Sequence, residues 1–152
     1  MELTEQEFHR YARHLIMNEI GEEGQEKLLK SKILVVGAGG LGAPALMYLA
    51  AAGIGVLGVI DDDEVDITNL QRQIIHMTHR VGDQKVISAK DTIAAINPGV
   101  QVITYNYRLK ADNAFDLIKE YDLIIDGSDN FETRYLICLL YTSDAADEGL
   151  GV

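Results

Sequence analysis

The chain has 152 residues and a formal net charge of −11. This length is enough for one domain with its own core and short for two, and 47% apolar with 24% charged residues is typical of a soluble globular protein. The negative charge argues against general nucleic-acid binding and against anionic membranes, since both partners need a basic surface.

The single cysteine, Cys138, excludes an internal disulfide and any CxxC zinc site within this chain. The N-terminal sequence MELTEQEFHR lacks the apolar core of a secretory signal. No apolar run reaches the roughly 18–20 residues of a membrane span. We therefore expect a cytoplasmic protein that does not bind a membrane.

The first 31 residues are predicted to form an N-terminal helical segment. Thr4 and Glu7 have the spacing of a capping box, and apolar residues then recur at helical spacing as far as Ile16. Gly21 and Gly24 predict an interruption, followed by a second short helix that ends near Lys30.

Strand and helix patterns alternate through residues 32–137. We predict strands at 33–36, 56–60, 100–105 and 123–125, a mainly loop segment at 62–83, and helices at 43–52, 85–96, 113–120 and from Thr133 onward. The first strand is short, aliphatic and unalternating, as in a parallel sheet that is covered on both faces. The pattern predicts the α/β class, with a doubly wound, Rossmann-like, mainly parallel sheet.

A glycine-rich loop lies between the first predicted strand and the helix that follows it. Gly37, Gly39 and Gly42 fit G-x-G-x-x-G, with Gly40 inside the motif. Such a loop brings backbone N–H groups and a helix N-terminus close to phosphate. Asp61, at the end of the second strand, is placed to accept hydrogen bonds from a ribose. The loop alone fits either a dinucleotide such as NAD or a nucleoside triphosphate.

The residues after the second strand favour the triphosphate. Arg72 and Lys85 supply whole positive charges beyond the carboxyl edge of that strand, and Asn69 and Gln71 add neutral donors. A triphosphate carries more charge than the pyrophosphate of a dinucleotide, and point charges with Mg²⁺ usually balance it. The alternative, an NAD-dependent oxidoreductase, depends on the glycine loop and Asp61 alone.

A carboxylate follows the fourth predicted strand, beside the expected position of the first. Asp129, in the stretch IIDGSDN at 124–130, is a candidate Mg²⁺ ligand. Asp126 is the alternative. Either carboxylate could instead cap the helix that starts near Thr133.

No nucleophile–base pair is recognisable in the sequence. His14, His76 and His79 are interpreted as surface or packing histidines, and Tyr105 and Tyr107 as packing residues.

Together these residues resemble the superfamily of ubiquitin-activating-type adenylyltransferases, specifically the bacterial ThiF, MoeB and HesA group. The resemblance runs from about Thr4 to Ile137. Besides the glycine loop it rests on RYARH at 10–14, DxDxVxxTNLQRQ at 61–73, GxxK at 82–85, INP at 96–98 and SDN at 128–130.

The resemblance implies ATP-dependent adenylation of the C-terminal glycine carboxylate of a ubiquitin-like sulfur carrier protein that ends in Gly-Gly, with release of pyrophosphate. The pathway would be of the molybdopterin or thiamine biosynthesis type. A homodimer is also implied, in which Arg13 enters the site of the partner subunit. The catalytic residues would be Arg13, Arg72, Lys85 and Asp129, with Asp129 on Mg²⁺.

Matching motif positions further imply a set of nucleotide contacts. They are Gly37, Gly39, Gly40, Gly42, Asp61, Thr68, Asn69, Leu70, Gln71, Arg72, Lys85, Asp129 and Asn130.

Residues 138–152, CLLYTSDAADEGLGV, depart from the family and resemble a translated sequencing adapter. We expect a non-native tail on an N-terminal fragment whose sheet is incomplete and whose activity is impaired. Cys138 is then not the reactive cysteine found in many family members. That cysteine and the Zn²⁺ site are expected only in the missing C-terminal part of the parent protein.

Overall fold

The computed structural model describes residues 3–147. Within them lie four strands, β1 (Lys32–Val36), β2 (Val56–Ile60), β3 (Gln101–Tyr105) and β4 (Leu123–Asp126). The α-helices are α1 (Glu5–Arg10), α2 (Ala12–Leu15), α3 (Gly21–Lys30), α4 (Gly42–Ala52), α5 (Lys85–Ile96), α6 (Ala111–Ile118) and α7 (Phe131–Asp147). The predicted loop segment 62–83 contains two 3-10 turns, Ile67–Asn69 and Thr78–Arg80.

The four strands form one parallel sheet in the order β3-β2-β1-β4. β1 pairs with β2 from Lys32 opposite Val56 onward, and with β4 on its other side up to Val36 opposite Asp126. The predicted α/β class and doubly wound parallel sheet are confirmed, and the fourth strand does lie beside the first.

Successive residues of β1 bury against different layers of helices. Ile33 and Val35 belong to a core that includes residues of α4 and α5, whereas Leu34 and Val36 belong to a second core with residues of α6 and α7. Side chains of a strand alternate between its two faces, so a central strand covered on both sides needs an unbroken apolar run.

The N-terminal segment differs from its prediction in two places. The capping box is confirmed, because the Glu7 N–H donates to Thr4 Oγ1 at 3.2 Å and the Thr4 N–H donates to Glu7 Oε2 at 2.8 Å. The single helix predicted as far as Ile16 is wrong, since α1 ends at Arg10 and α2 follows the buried Tyr11.

The predicted interruption at Gly24 is also wrong, because α3 runs from Gly21 through Gly24 to Lys30. Its neighbour Gln25 is fully buried and donates through Nε2 to the carbonyl oxygen of Ala52 at 2.9 Å. This tertiary anchor outweighs the low helix propensity of glycine.

The last helix crosses the position at which the family resemblance was expected to stop. α7 starts at Phe131 and continues to Asp147, so the proposed tail 138–152 begins inside it. Residues 148–152 of that tail lie outside the described residues. Among residues 3–147, no helix combines the length and apolarity that a bilayer crossing needs.

Candidate functional site

The glycine loop leaves β1 in a conformation that requires two of its glycines. Gly37 has φ +93°, in the left-handed region, and its N–H donates to the carbonyl oxygen of Ile60 at 2.8 Å. A Cβ on Gly42 would lie 1.7 Å from the Gly37 carbonyl oxygen. The start of α4 therefore packs directly on the turn, which is the role of the third glycine in this type of motif.

Ala38, inside the loop, is held by side chains on both of its backbone polar groups. Its N–H donates to Asp61 Oδ2 at 2.8 Å, and its carbonyl oxygen lies 2.8 Å from His76 Nε2. The other Asp61 oxygen accepts the Asp63 N–H at 2.9 Å. Burial raises the pKa of Asp61, although these two hydrogen bonds act against that rise.

A cavity of about 620 Å³ opens above this loop. It lies at the carboxyl ends of β1, β2 and β4, because Val36, Ile60 and Gly127 line it. The predicted site residues that it brings together are Gly37, Gly39, Gly40, Asp61, Asn69, Arg72, Lys85, Asp129 and Asn130.

The two cations predicted from the sequence both line the cavity. Lys85 is the first residue of α5, with a side chain only 6% exposed, and its Nζ lies 2.9 Å from Asp63 Oδ2. The Arg72 side chain runs past Gly40, whose added Cβ would meet Arg72 Cδ at 3.6 Å. The predicted positive charges therefore lie beside the glycine loop.

The loop after β4 supplies a carboxylate and a helix cap. Asp129 is exposed and lines the cavity. Asn130, rather than either aspartate, caps α7, because its Oδ1 accepts the Thr133 N–H at 2.9 Å. Asp126 Oδ1 accepts instead from the Ser128 N–H at 2.9 Å. The idea that Asp126 or Asp129 caps this helix is thus corrected.

Five predicted site residues do not line the cavity. Gly42 is buried beneath the loop, Thr68 bonds to Asp66, Leu70 is half-buried, and the exposed Gln71 accepts from Arg72 Nη1 at 3.3 Å. Arg13 is exposed in α2, in the N-terminal segment. Its implied role is in the site of another subunit.

Several lining residues were not predicted, namely Asp63, Gln73, Tyr107, Arg108 and Arg134. Asp63 and Gln73 lie inside the motif at 61–73, so their place in that motif could have indicated that they line the site. Arg134 follows Asn130 by one helical turn and donates to the Ser128 carbonyl oxygen from Nε and Nη2. Tyr107, interpreted as a packing residue, is 40% exposed at the cavity.

The neighbouring carboxylates of Asp61, Asp62 and Asp63 lie within 4.8 Å of one another. Asp61 already accepts two backbone hydrogen bonds and Asp63 is paired with Lys85. Asp129 has no hydrogen bond to its carboxylate among residues 3–147, and an exposed carboxylate oxygen is a ligand type that Mg²⁺ accepts. Asp129 therefore has carboxylate oxygens that are available to a magnesium ion.

The fold and the cavity define a Rossmann-like α/β protein. Its site lies at the carboxyl edge of the sheet beside β1, where the order of the strands reverses between β1 and β4. The chain belongs to the ThiF family, which it matches over residues 11–142. The family resemblance drawn from the motifs is confirmed.

Two curated relatives show how much of a longer protein the chain covers. A Mycobacterium tuberculosis protein named "Probable adenylyltransferase/sulfurtransferase MoeZ" is 55% identical over 135 residues, which are 89% of this chain and 34% of that protein. The "Sulfur carrier protein adenylyltransferase" of Thermus thermophilus is 47% identical over 137 residues, 90% of this chain and 51% of the relative. The chain thus spans about a third of the first relative and about half of the second.

A solved structure shares the fold at lower identity. The Escherichia coli tRNA N6-threonylcarbamoyladenosine dehydratase TcdA, crystallised in complex with ATP, is 28% identical with a TM-score of 0.86. The match covers 95% of this chain and 59% of TcdA.

Proposed function

We propose that this chain forms the ATP-binding part of an enzyme that adenylates the C-terminal glycine carboxylate of a ubiquitin-like sulfur carrier protein. The observation that carries the proposal is one cavity shared by the glycine loop, Arg72, Lys85 and Asp129. The names of the two curated relatives support adenylyl transfer, and one of them names a sulfur carrier protein as the substrate.

The chemistry suits a site without a strong base. A carboxylate oxygen of the carrier forms a bond to the α-phosphorus, and the bond from that phosphorus to the bridging oxygen breaks. Pyrophosphate leaves with the electron pair and the carrier becomes an acyl-adenylate. Because the nucleophile is already an anion, the enzyme needs to align it and to relieve charge repulsion.

The lining residues divide these tasks. Arg72 and Lys85 bind the phosphates, and Asp61 accepts from the ribose beside the glycine loop. Asp129 would hold Mg²⁺, which supplies further neutralisation of the polyphosphate charge when it is bound. A buried ammonium such as Lys85 interacts with phosphate more strongly than an exposed one, because little water screens it.

The finer parts of the proposal follow from the family resemblance. The working enzyme is a cytoplasmic homodimer in which Arg13 reaches the site of the partner subunit. The carrier ends in Gly-Gly and serves molybdopterin or thiamine biosynthesis. The exposed position of Arg13 in α2 leaves it available for such a contact.

ATP–pyrophosphate exchange by residues 1–152 tests this function. We expect slow exchange that requires both Mg²⁺ and a sulfur carrier ending in Gly-Gly, and that stops with Arg72→Ala. A carrier lacking its terminal glycine is the matched control. Exchange that ignores the carrier, or hydride transfer with NAD in place of exchange, would contradict the proposal.

A further inference from the structure

His76 lies beneath the glycine loop and not at the cavity. The residue is 4% exposed, with Nε2 at 2.8 Å from the Ala38 carbonyl oxygen and Nδ1 at 2.8 Å from Ser88 Oγ. A carbonyl oxygen can only accept, so Nε2 carries the proton and Nδ1 accepts from the Ser88 hydroxyl. The Ala38 carbonyl thereby selects one tautomer of the ring, and Ser88, only 1% exposed on α5, supports it by donating to Nδ1.

The ring is neutral as well as oriented. Burial lowers the pKa of His76, and the nearby charge of Lys85 lowers it further. The hydrogen bond to Ala38 and the charge of Asp61 act in the opposite direction without reversing the shift. The histidine is therefore a fixed hydrogen-bond donor at neutral pH.

The His76 donor determines the orientation of the peptide between Ala38 and Gly39. In a trans peptide the carbonyl and the N–H point to opposite sides, and the structure has no cis peptide among residues 3–147. With the Ala38 carbonyl held by His76, the Gly39 N–H points away from the ring. Gly39 lines the cavity and His76 does not. Within the described residues, the N–H groups of Gly39, Gly40 and Leu41 have no acceptor.

We propose that His76, oriented by Ser88, is a positioning residue that fixes the Ala38–Gly39 peptide so that the Gly39 N–H faces a bound phosphate. The phosphate contact rests on the ATP binding proposed above. The orientation of the loop does not, and it can be measured without nucleotide. Asp61 holds the N–H of Ala38 from the other side, so the loop is clamped at consecutive peptides.

The first test is spectroscopic and uses the unaltered chain. Nitrogen-15 NMR of the histidine rings, in the absence of nucleotide at pH 7.5, reads the tautomer of His76 directly. We expect a protonated Nε2 and an unprotonated Nδ1. A protonated Nδ1, or a ring that exchanges between tautomers, would overturn the proposal regardless of any effect on binding.

The second test compares two substitutions. His76→Gln keeps an N–H that can reach Ala38, and His76→Phe keeps the volume without a donor. We expect the Kd for Mg²⁺-ATP to rise about tenfold for His76→Phe and to stay within about threefold for His76→Gln, the scale of one hydrogen bond. His79→Phe, at an exposed site outside the cavity, is the control and should change nothing.

The outcomes separate this proposal from the proposed function. In glycine-labelled samples the Gly39 amide resonance should shift in His76→Phe and recover in His76→Gln. If that pattern appears but the unaltered chain does not bind ATP, the function is wrong and the role of His76 stands. Equal ATP affinity in all variants would overturn the positioning role. If His76→Phe does not fold, the positioning role is tested by the tautomer of His76 and by the ATP affinity of His76→Gln relative to the unaltered chain.

Discussion

Lys85 is the residue whose environment points most clearly to an anionic ligand. Its ammonium group is almost fully buried, and its ion-pair partner Asp63 is largely exposed, with 67% of the side chain accessible. An exposed carboxylate returns only part of the solvation that a buried ammonium loses. A phosphate in the cavity would add the missing compensation.

Replacing Lys85 with methionine tests this reading at the residue scale. Lys85→Met keeps the aliphatic stem, and the freed Asp63 carboxylate can be solvated, so the fold should survive. We expect ATP affinity to fall at least about tenfold, the scale of a hydrogen bond to a charged group. AMP affinity should fall less if Lys85 contacts the outer phosphates.

The matched control for this prediction is Lys90→Met. Lys90 is exposed on the same helix and does not line the cavity. Isothermal titration of both variants with ATP and AMP provides the measurement. Equal losses in the two variants would show that Lys85 acts only through net charge.

Gly42 packs against the backbone of the loop, whereas Gly40 lines the cavity. Alanine substitutions at these two positions should therefore have different effects on stability. A Cβ on Gly42 would overlap the Gly37 carbonyl oxygen, at 1.7 Å, so Gly42→Ala should lose about 3 kcal/mol or more of stability. A Cβ on Gly40 would meet the Arg72 side chain at an ordinary 3.6 Å. Gly40→Ala should therefore change the free energy of unfolding by less than about 1 kcal/mol.

Urea unfolding followed by circular dichroism compares the two glycine variants. Similar stability losses at both positions would contradict this expectation. A stable Gly40→Ala variant then allows ATP binding to be measured on an intact fold. This control is needed because sequence alone assigned both glycines to the nucleotide.

At the level of secondary structure, the N-terminal helices are attached to the C-terminal ends of α4 and α5 through buried polar contacts. Tyr11 is 4% exposed, and its hydroxyl accepts a hydrogen bond from Asn97 Nδ2 at 2.9 Å. The fully buried Gln25 bonds to the Ala52 carbonyl oxygen and to His14 Nδ1. These contacts hold the segment that carries Arg13.

Removing one such contact should loosen the segment by a measurable amount. Tyr11→Phe deletes the acceptor for Asn97 and should cost about 1 kcal/mol of unfolding free energy. Tyr48→Phe is the control, because Tyr48 is 77% exposed and its change should stay within about 0.5 kcal/mol. Hydrogen exchange should localise the loss to α1–α3. Equal stability of the two variants would refute the anchoring role of Tyr11.

The elements also show which structure the sequence could predict. The bounds of β2 and α5 were predicted exactly and those of β1 within one residue. Aliphatic runs and the turn at 97–99 determine these bounds, and both are local features of the sequence. The break after α1 and the helical Gly24 were missed, since the contacts that decide them join residues far apart in sequence. His76 was interpreted as a surface or packing histidine, and its hydrogen bond to the glycine loop was missed for the same reason, because Ala38 lies 38 residues away.

At the scale of the whole molecule, an acidic chain presents a cavity with several cations. The net charge is −11, yet Arg72, Lys85, Arg108 and Arg134 all line one cavity, which Asp61, Asp62, Asp63 and Asp129 also line. The negative charges elsewhere on the chain are screened at physiological salt, whereas the cations and carboxylates that line the cavity act on a ligand directly. The parallel sheet produces this concentration, because it brings the loops after all four strands to one edge, including the loop after β3 that carries Arg108.

The main residues at that edge of the sheet could be predicted from the sequence, whereas several other residues that line the cavity could not. The glycine loop, Arg72, Lys85 and Asp129 follow from strand order and motif position. The capping of α7 by Asn130 depends on where that helix starts. The positions of Tyr107 and Arg134 at the cavity depend on how the loops and α7 pack. Pattern alone gives too little information about those contacts.

Calorimetric titration of residues 1–152 with ATP and with NAD, each with and without Mg²⁺, tests most directly whether this cavity is an ATP site. We predict that ATP binds, that Mg²⁺ strengthens its binding, and that Asp129→Asn removes the strengthening while NAD binds weakly throughout. NAD binding as tight as that of ATP, or ATP binding that is indifferent to Mg²⁺ and to Asp129, would contradict this prediction.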